Sequence, residues 1–303
     1  MDELKLLDCA ARKRVLFAGE RIVDRYLYVK PLGRPTKDAI ISVEQVQLEE
    51  FIGGVQAASH HAMAFSENVH CVEGGLVYTK TRFVELSHHR KLFQFYTHNG
   101  TLEPSLPADI GEFDAVVLLD YGHGMFGERS IHQWIQGRYT AVNVQTNSGN
   151  YGFNLATKYW SVDYLCVDED EARLATQNKD GPIEQSIRHL ATRAKKVVVT
   201  LGRKGAVGWS REDDIVYCPA FTDRVVDTIG AGDAFFAVTA LVAEEADMLS
   251  LLRIGNAAGA TKAQIVGHRK GVSKNDIVGL LQSVPRAATA GVGPSPVRQT
   301  GTY

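Results

Sequence analysis

Short, largely apolar runs alternate with longer helical patterns along most of this chain. Residues 14–19, 115–119, 141–144, 164–167 and 196–200 have strand length and little alternation, as expected of strands covered on both faces. Between them, residues 54–65, 128–137, 170–176 and 183–194 carry helical patterns. The alternation predicts an α/β fold, a doubly wound, mostly parallel sheet with helices on both faces. Two segments break the rhythm. Residues 26–48 and 78–102 are β-rich and partly alternating, as in Ala39-Ile-Ile-Ser-Val43 and Lys91-Leu-Phe-Gln-Phe-Tyr96, and predict a small separate β-sheet lid over the site. Beyond Ser283, Gly, Pro, Ala, Ser and Thr dominate, too little apolar surface to offset ordering entropy. Residues 1–284 are therefore expected to form one domain and residues 285–303 a flexible tail or linker.

Composition narrows the function classes. The 303 residues carry a net charge of −2, so no basic field favours nucleic acid. Apolar residues make up 45% of the chain, enough for a large core, yet no stretch approaches the roughly 18 uninterrupted apolar residues of a membrane span. The first residues have no secretory h-region, and a soluble, cytoplasmic protein is expected. Cys9, Cys71, Cys166 and Cys218 fit no metal-ligand spacing and read as reduced, structural thiols.

The chemistry concentrates at Asp227-Thr228-Ile229-Gly230-Ala231-Gly232-Asp233, which runs straight into the apolar stretch 234–243. Backbone N–H groups at a helix N-terminus lack intrahelical partners and carry partial positive charge, and glycine lets phosphate oxygens approach them. A nearby Asp can take a proton from an attacking hydroxyl. A capped helix after a Gly turn, with Asp233 as a first-turn acid, is the structural alternative. The whole heptad resembles the diagnostic motif of the ribokinase-like (PfkB) carbohydrate kinases. By that resemblance Gly230, Ala231 and Gly232 form an anion hole, Asp233 is the catalytic base and Thr228 lies on the nucleotide side.

Further segments resemble the same family in the same order. Asp24, four residues past Glu20, matches an Asp that binds sugar hydroxyls, and Gly53-Gly54 opens a helix against which the sugar would sit. Asp120-Tyr121-Gly122-His123-Gly124, at the end of an apolar run, resembles the Asp-Tyr-Gly-Lys-Gly stretch of heptose-7-phosphate kinases, the kinase part of ADP-heptose synthases. Thr79-Lys80-Thr81-Arg82 extends that likeness. It implies a phosphorylated sugar acceptor, for which Lys30, Arg34, Lys37, Lys80 and Arg82 offer cations, although solvated charges suit most of the five. Asp168 and Glu171 match the family's Asn-x-x-Glu motif for Mg2+, with an acidic helix start as the alternative. Thr200, Gly202 and Gly205 resemble its ATP loop, with Arg203 or Lys204 facing the phosphates, and Asn256 lies in the small-residue helix that flanks adenine. The family's lid also implies a homodimer, and a nucleotidyltransferase domain or partner accompanies the heptose kinases.

Departures from the family pattern fall on the sugar side. Where these kinases have an Asn after Gly-Gly, the chain reads Gly53-Gly54-Val55-Gln56-Ala57-Ala58-Ser59, so either Gln56 or Ser59 substitutes or this sugar contact is absent. Residues 142–147 replace an Asp-Pro-Lys type of turn, and Glu20 replaces a smaller Asp. The expectation is ATP-dependent phosphorylation of a sugar or sugar phosphate, as at the anomeric hydroxyl of a heptose 7-phosphate. A catalytically quiet nucleotide- and sugar-binding sensor on the same fold is the alternative. A dinucleotide-dependent oxidoreductase is disfavoured, because no Gly-x-Gly-x-x-Gly follows the first apolar run.

Overall fold

A computed structural model describes residues 2–288, apart from residues 89, 101–106, 108, 129, 136–138 and 223. The chain enters through helix α1 (Glu3–Ala10) and then builds strands β1 (Val15–Pro31) and β2 (Val43–Gly53), helix α2 (Gly54–Ala62), and strands β3 (Val69–Glu85) and β4 (Arg90–Asn99). An alternating stretch follows: β5 (Ala115–Asp120), α3 (Ile131–Trp134), β6 (Thr140–Val144), β7 (Val162–Asp168), α4 (Glu169–Thr176), α5 (Ile183–Leu190) and β8 (Ala194–Thr200). The hairpin β9 (Ala206–Ser210) and β10 (Asp214–Cys218) leads into helices α6 (Ala231–Ala240), α7 (Met248–Lys262) and α8 (Lys274–Ser283).

These strands form one ten-stranded sheet in the order β10-β9-β8-β7-β6-β5-β1-β3-β4, with β2 also paired to β1. The pairs from β3 through β1, β5, β6 and β7 to β8 are parallel. Successive residues of each central strand feed opposite cores, as the two-residue pleat requires. Phe17, Val117 and Leu119 pack with α1, α2, α6, α7 and α8, whereas Leu16, Val116 and Leu118 pack with α3, α4 and α5. Burial on both faces explains why these strands read as apolar runs.

The lid differs from a separate sheet. β1 pairs with β5 as far as Gly19; beyond it, from Ile22, β2 takes over on that side, while β3 follows β1 along its whole length. The β1–β3 register shifts between Gly19 and Arg21, and the strands then continue into a four-stranded extension, β2-β1-β3-β4. The lid is thus a prolongation of the central sheet. Of the helix expected at 128–137, the described residues form helix at Ile131–Trp134, residues 129 and 136–137 lying outside them, and the helix expected at 183–194 ends at Leu190, with Ala194 already in β8. Of the tail or linker expected at 285–303, Arg286 is tied by hydrogen bonds to Glu3, Ser250 and Asp247, and residues 289–303 lie outside the described residues. No helix among the described residues is long and apolar enough to cross a membrane.

Candidate active site

Parallel strands deliver their carboxyl ends to one edge of the sheet, the usual position for a ligand in an open α/β fold. Here β5, β6, β7 and β8 end at Asp120, Val144, Asp168 and Thr200, and the N-terminus of α6 carries Asp233. Gly230 caps that helix with φ +75°, a left-handed conformation that suits glycine. Its Cβ, if it had one, would lie 2.6 Å from His268 Cε1. The Ala231 N–H donates to the Thr228 carbonyl at 3.2 Å, and the Ala234 N–H to Gly230 O at 2.9 Å. Gly232 and Asp233 occupy first-turn positions that have no intrahelical acceptor, and no described side chain caps them. At the segment expected from the sequence to form an anion hole, residues 230–232, the N–H groups of Gly232 and of the adjoining Asp233 are therefore the ones without a partner among the described residues.

Asp233 is held through a single oxygen. The Tyr121 hydroxyl donates to Asp233 Oδ1 at 3.1 Å and the Gln145 amide donates to the same atom at 2.8 Å. Oδ2 accepts no hydrogen bond from the described residues. Tyr121 is fixed in turn by a buried carboxylate: Glu20 accepts the N–H groups of Tyr121, His123 and Met125 at 2.9, 3.1 and 3.3 Å. Burial and the charge of Asp120 push the Glu20 carboxyl up to about 7, against the opposing pull of those three donors. Asn147 and Asn150 close the turn from the other side by donating to Tyr121 O at 2.9 and 3.1 Å.

Asp24 lies across the cleft and is 4% exposed. Arg82 donates to its Oδ1, and His268 Nε2 approaches Oδ2 at 3.3 Å. Burial alone would raise the Asp24 carboxyl; the hydrogen bond from His268 and the charge of Arg82 outweigh it and hold Asp24 well below the usual carboxylate range. Gly53 is required beside it, since a Cβ there would meet Asp24 Oδ2 at 2.7 Å, and Gly54 has φ +61° with its missing Cβ 2.3 Å from Glu20 O. Lys80 pairs with Asp24 across β1 and β3, so Asp24, Lys80, Tyr26 and Arg82 share the cleft face of the lid. Burial lowers the Lys80 ammonium from its ordinary value, while Asp24, Asp233 and Glu20 pull it back up. Lys30, Arg34 and Lys37 are exposed instead.

Gln56 donates to Glu73 and leaves its own Oε1 buried without a partner among the described residues. Ser59 is satisfied within its helix by the Gln56 carbonyl. Asp120, a substrate-binding candidate from its place in the stretch 120–124 that resembles the heptose kinases, has both carboxylate oxygens engaged within the protein. Its Oδ1 accepts from Gly122 N and Asn154 Nδ2, and its Oδ2 from the Tyr159 hydroxyl at 2.8 Å and Lys158 at 2.5 Å, so it braces the site from below. His123 stacks on Tyr78 with centroids 3.6 Å apart, and burial together with the Lys80 charge brings it down to about 4.

On the nucleotide side, Gly202 and Gly205 have φ +57° and +99°, and a Cβ at Gly205 would strike Cys218 O at 2.1 Å. Thr200 closes β8 next to them. Asn256 is buried and donates to Cys218 O and Pro219 O, fastening the end of β10 rather than presenting its amide to a ligand. Asp168 and Glu171 form a reciprocal capping box on α4: the Glu171 N–H donates to Asp168 Oδ1 at 2.8 Å, and the Asp168 N–H to Glu171 Oε2 at 2.7 Å. Glu171 Oε1 also accepts the Thr146 N–H at 2.9 Å. Burial and the Asp168 charge push Glu171 up to about 8, and no Lys or Arg among the described residues pairs with either carboxylate. The two carboxylates are hard oxygen donors of the kind Mg2+ takes; no group of three or more His, Cys, Asp or Glu side chains that could hold a metal ion occurs among the described residues.

The sequence reading left His268, Gln145 and Lys262 without roles. Gln145 had a signal, since it sits in the altered turn 142–147; Lys262 and His268 stand 29 and 35 residues past Asp233 and carry no pattern of their own.

Comparison with known proteins places this arrangement. The bifunctional protein HldE of Gluconacetobacter diazotrophicus is 28% identical over 204 residues, covering 65% of this chain and 40% of that protein. The ATP-dependent 6-phosphofructokinase of Thermoanaerobacterium thermosaccharolyticum is 36% identical over 108 residues, 35% of this chain and 33% of that one. This chain therefore spans well under two thirds of either relative. The crystal structure of Thermotoga maritima ribokinase has the same fold, with a TM-score of 0.71 at 16% identity, covering 89% of this chain and 99% of that one. Residues 143–275, which include Gln145, Glu171, Asp233, Lys262 and His268, match the pfkB family of carbohydrate kinases.

Proposed function

We propose that this chain transfers the γ-phosphoryl group of ATP to a hydroxyl of a sugar phosphate, with the anomeric hydroxyl of a heptose 7-phosphate-like acceptor as the leading candidate. The observation that carries the reading is Asp233, with Oδ1 held by Tyr121 and Gln145 and Oδ2 open, in the same helical turn as the unpartnered N–H groups. Asp233 accepts the proton of the attacking hydroxyl, and the Gly232 and Asp233 N–H groups stabilise the transferring group in line with it. Glu171 and Asp168 would hold Mg2+, which supplies neutralisation of phosphate charge when bound. Gly202 and Gly205 let the nucleotide approach the backbone.

A phosphorylated acceptor is supported by Lys80 and Arg82 on the cleft face and by the likeness to HldE and to the 6-phosphofructokinase. The outer face of the lid supports a second copy as partner. Leu48, Leu27, Phe83 and Phe93 are in register across its four strands, and Leu48, Ile52 and Phe93 are 47, 60 and 46% exposed. Light scattering of the wild type against Phe93→Glu tests the pairing.

The catalytic reading is tested by ADP release from Mg-ATP over a panel of neutral and phosphorylated sugars. Turnover with a phosphosugar supports it. Nucleotide binding without turnover on any acceptor would support the quiet sensor instead.

A further inference from the structure

Two turns of distant origin meet behind the cleft, and one pair of opposite charges grips both. Lys262 closes α7 and is 0% exposed; its ammonium donates to Ile229 O at 2.6 Å and Gly267 O at 2.7 Å. The N–H groups of those same two residues go to one carboxylate: Ile229 N–H donates to Asp227 Oδ1 at 3.2 Å and Gly267 N–H to Asp227 Oδ2 at 2.9 Å. Each residue is thus held by its carbonyl on a cation and by its amide on an anion. The next residue along is functional in both cases. Ile229 precedes Gly230, the hinge of the anion hole, and Gly267 precedes His268, which reaches Asp24.

We propose that Asp227 and Lys262 form a charge clamp that sets the phosphoryl-binding turn and the acceptor-side turn at a fixed separation, with Lys262 as a positioning residue for phosphoryl transfer. This rests on the function proposed above and assigns the clamp to it. A buried ammonium bonding two backbone carbonyls is costly to desolvate and is retained only where its charge and its donors are both used. Here the Lys262 Cε lies 3.2 Å from the point a Gly230 Cβ would occupy, so the charge stands directly behind the hole. Burial lowers the ammonium from its ordinary value, and the charges of Asp227, Asp233 and Asp24 oppose that shift.

The test compares Lys262→Met, which keeps the bulk and loses the charge, with Lys262→Ala, which leaves a channel that propylammonium can refill. Thermal melting first establishes that each variant is folded. The expected result for Lys262→Met is a kcat lower by on the order of 10²-fold with little change in KM for ATP, the size of effect seen when anion-hole donors are misplaced. Propylammonium should restore at least a tenfold share of the loss in Lys262→Ala; tetramethylammonium, which has no N–H, should restore none. A second readout needs no acceptor: titration with Mg-ADP in the presence and absence of aluminium fluoride, a mimic of the phosphoryl group in flight. Fluoride should tighten ADP in the wild type, fail to do so in Lys262→Met, and do so again in Lys262→Ala with propylammonium. Wild-type kcat in folded Lys262→Met, or a loss in Lys262→Ala that propylammonium leaves untouched in both readouts, would overturn the clamp. A wild type that tightens ADP with fluoride but phosphorylates no sugar would overturn the proposed function and leave the clamp standing.

Discussion

Gly230 and Gly232 are two residues apart, yet alanine should affect them in opposite ways. At Gly230 the backbone has φ +75°, which costs a residue with a Cβ about 1 to 2 kcal/mol. The added methyl would also sit 2.6 Å from His268 Cε1 and 3.2 Å from Lys262 Cε, so packed groups must move, at about 1 to 3 kcal/mol. Gly230→Ala should therefore lose about 2 to 5 kcal/mol of folding stability, together with most of its activity. At Gly232 nothing lies within 4 Å of the added methyl, and the residue is in the first turn of α6. Alanine there should leave stability unchanged or raise it by up to about 1 kcal/mol, since helical glycine is the more costly residue. Its methyl would nevertheless enter the space proposed for the transferring phosphoryl group, and kcat should fall on the order of 10²- to 10³-fold. Urea denaturation of both variants beside ADP-release kinetics makes the comparison. A Gly232→Ala enzyme with full activity would refute the assignment of that open space to phosphate, and a Gly230→Ala protein as stable as wild type would refute the strain argument.

Asp233→Asn keeps the side-chain shape but removes the proton acceptor, so turnover should drop about 10²- to 10⁴-fold while ATP affinity, measured by calorimetry, stays within a few fold. Glu171→Gln should raise the Mg2+ concentration needed for half-maximal rate, read from rate against metal concentration; an unchanged curve would leave Glu171 as a helix cap alone. The buried His61, brought down to about 3 by burial and by the charges of His268, Lys262 and His60, stays neutral in the folded state, with its Nδ1 accepting the Val272 N–H. Below about pH 6.5 the unfolded chain takes up a proton that the folded chain refuses, so stability should fall by about 1.4 kcal/mol per pH unit as pH drops toward 3. His61→Asn, which keeps an acceptor near Nδ1 and cannot titrate in this range, should flatten that decline by one proton in urea midpoints taken across the range.

The parts of this molecule that were legible in its sequence obey short-range rules. Apolar runs at 115–119 and 141–144 became β5 and β6 within a residue, because strands covered on both faces leave no polar position to blur them. The Gly230 to Asp233 turn was readable as a helix start because its glycines, its carboxylate and the apolar run that follows are contiguous. Asp120 misled because position at a strand end says nothing about which way the carboxylate turns; Lys158 and Tyr159, nearly forty residues on, decide that. Asn256 misled similarly, with its amide spent on Cys218 and Pro219. The continuity of the lid with the sheet was hidden as well, since the bend between Gly19 and Arg21 reads like the end of a strand.

The unbroken course of β1 also restricts how this protein can change by descent. Glu20, Ile22, Asp24, Tyr26 and Tyr28 are all buried, alternating with less buried neighbours, so one side of a single strand runs from the support of the Tyr121 turn to the far end of the lid. Gain or loss of one residue between Glu20 and Tyr28 would send every later member of that row to the opposite side. If the change fell before Asp24, that carboxylate would move to the outer face of the lid while Glu20 stayed where it is. Acceptor preference in such a lineage can drift by replacing side chains one at a time along β1, whereas length variation is confined to the connection between β1 and β2, where residues 32–42 pair with no strand of the sheet.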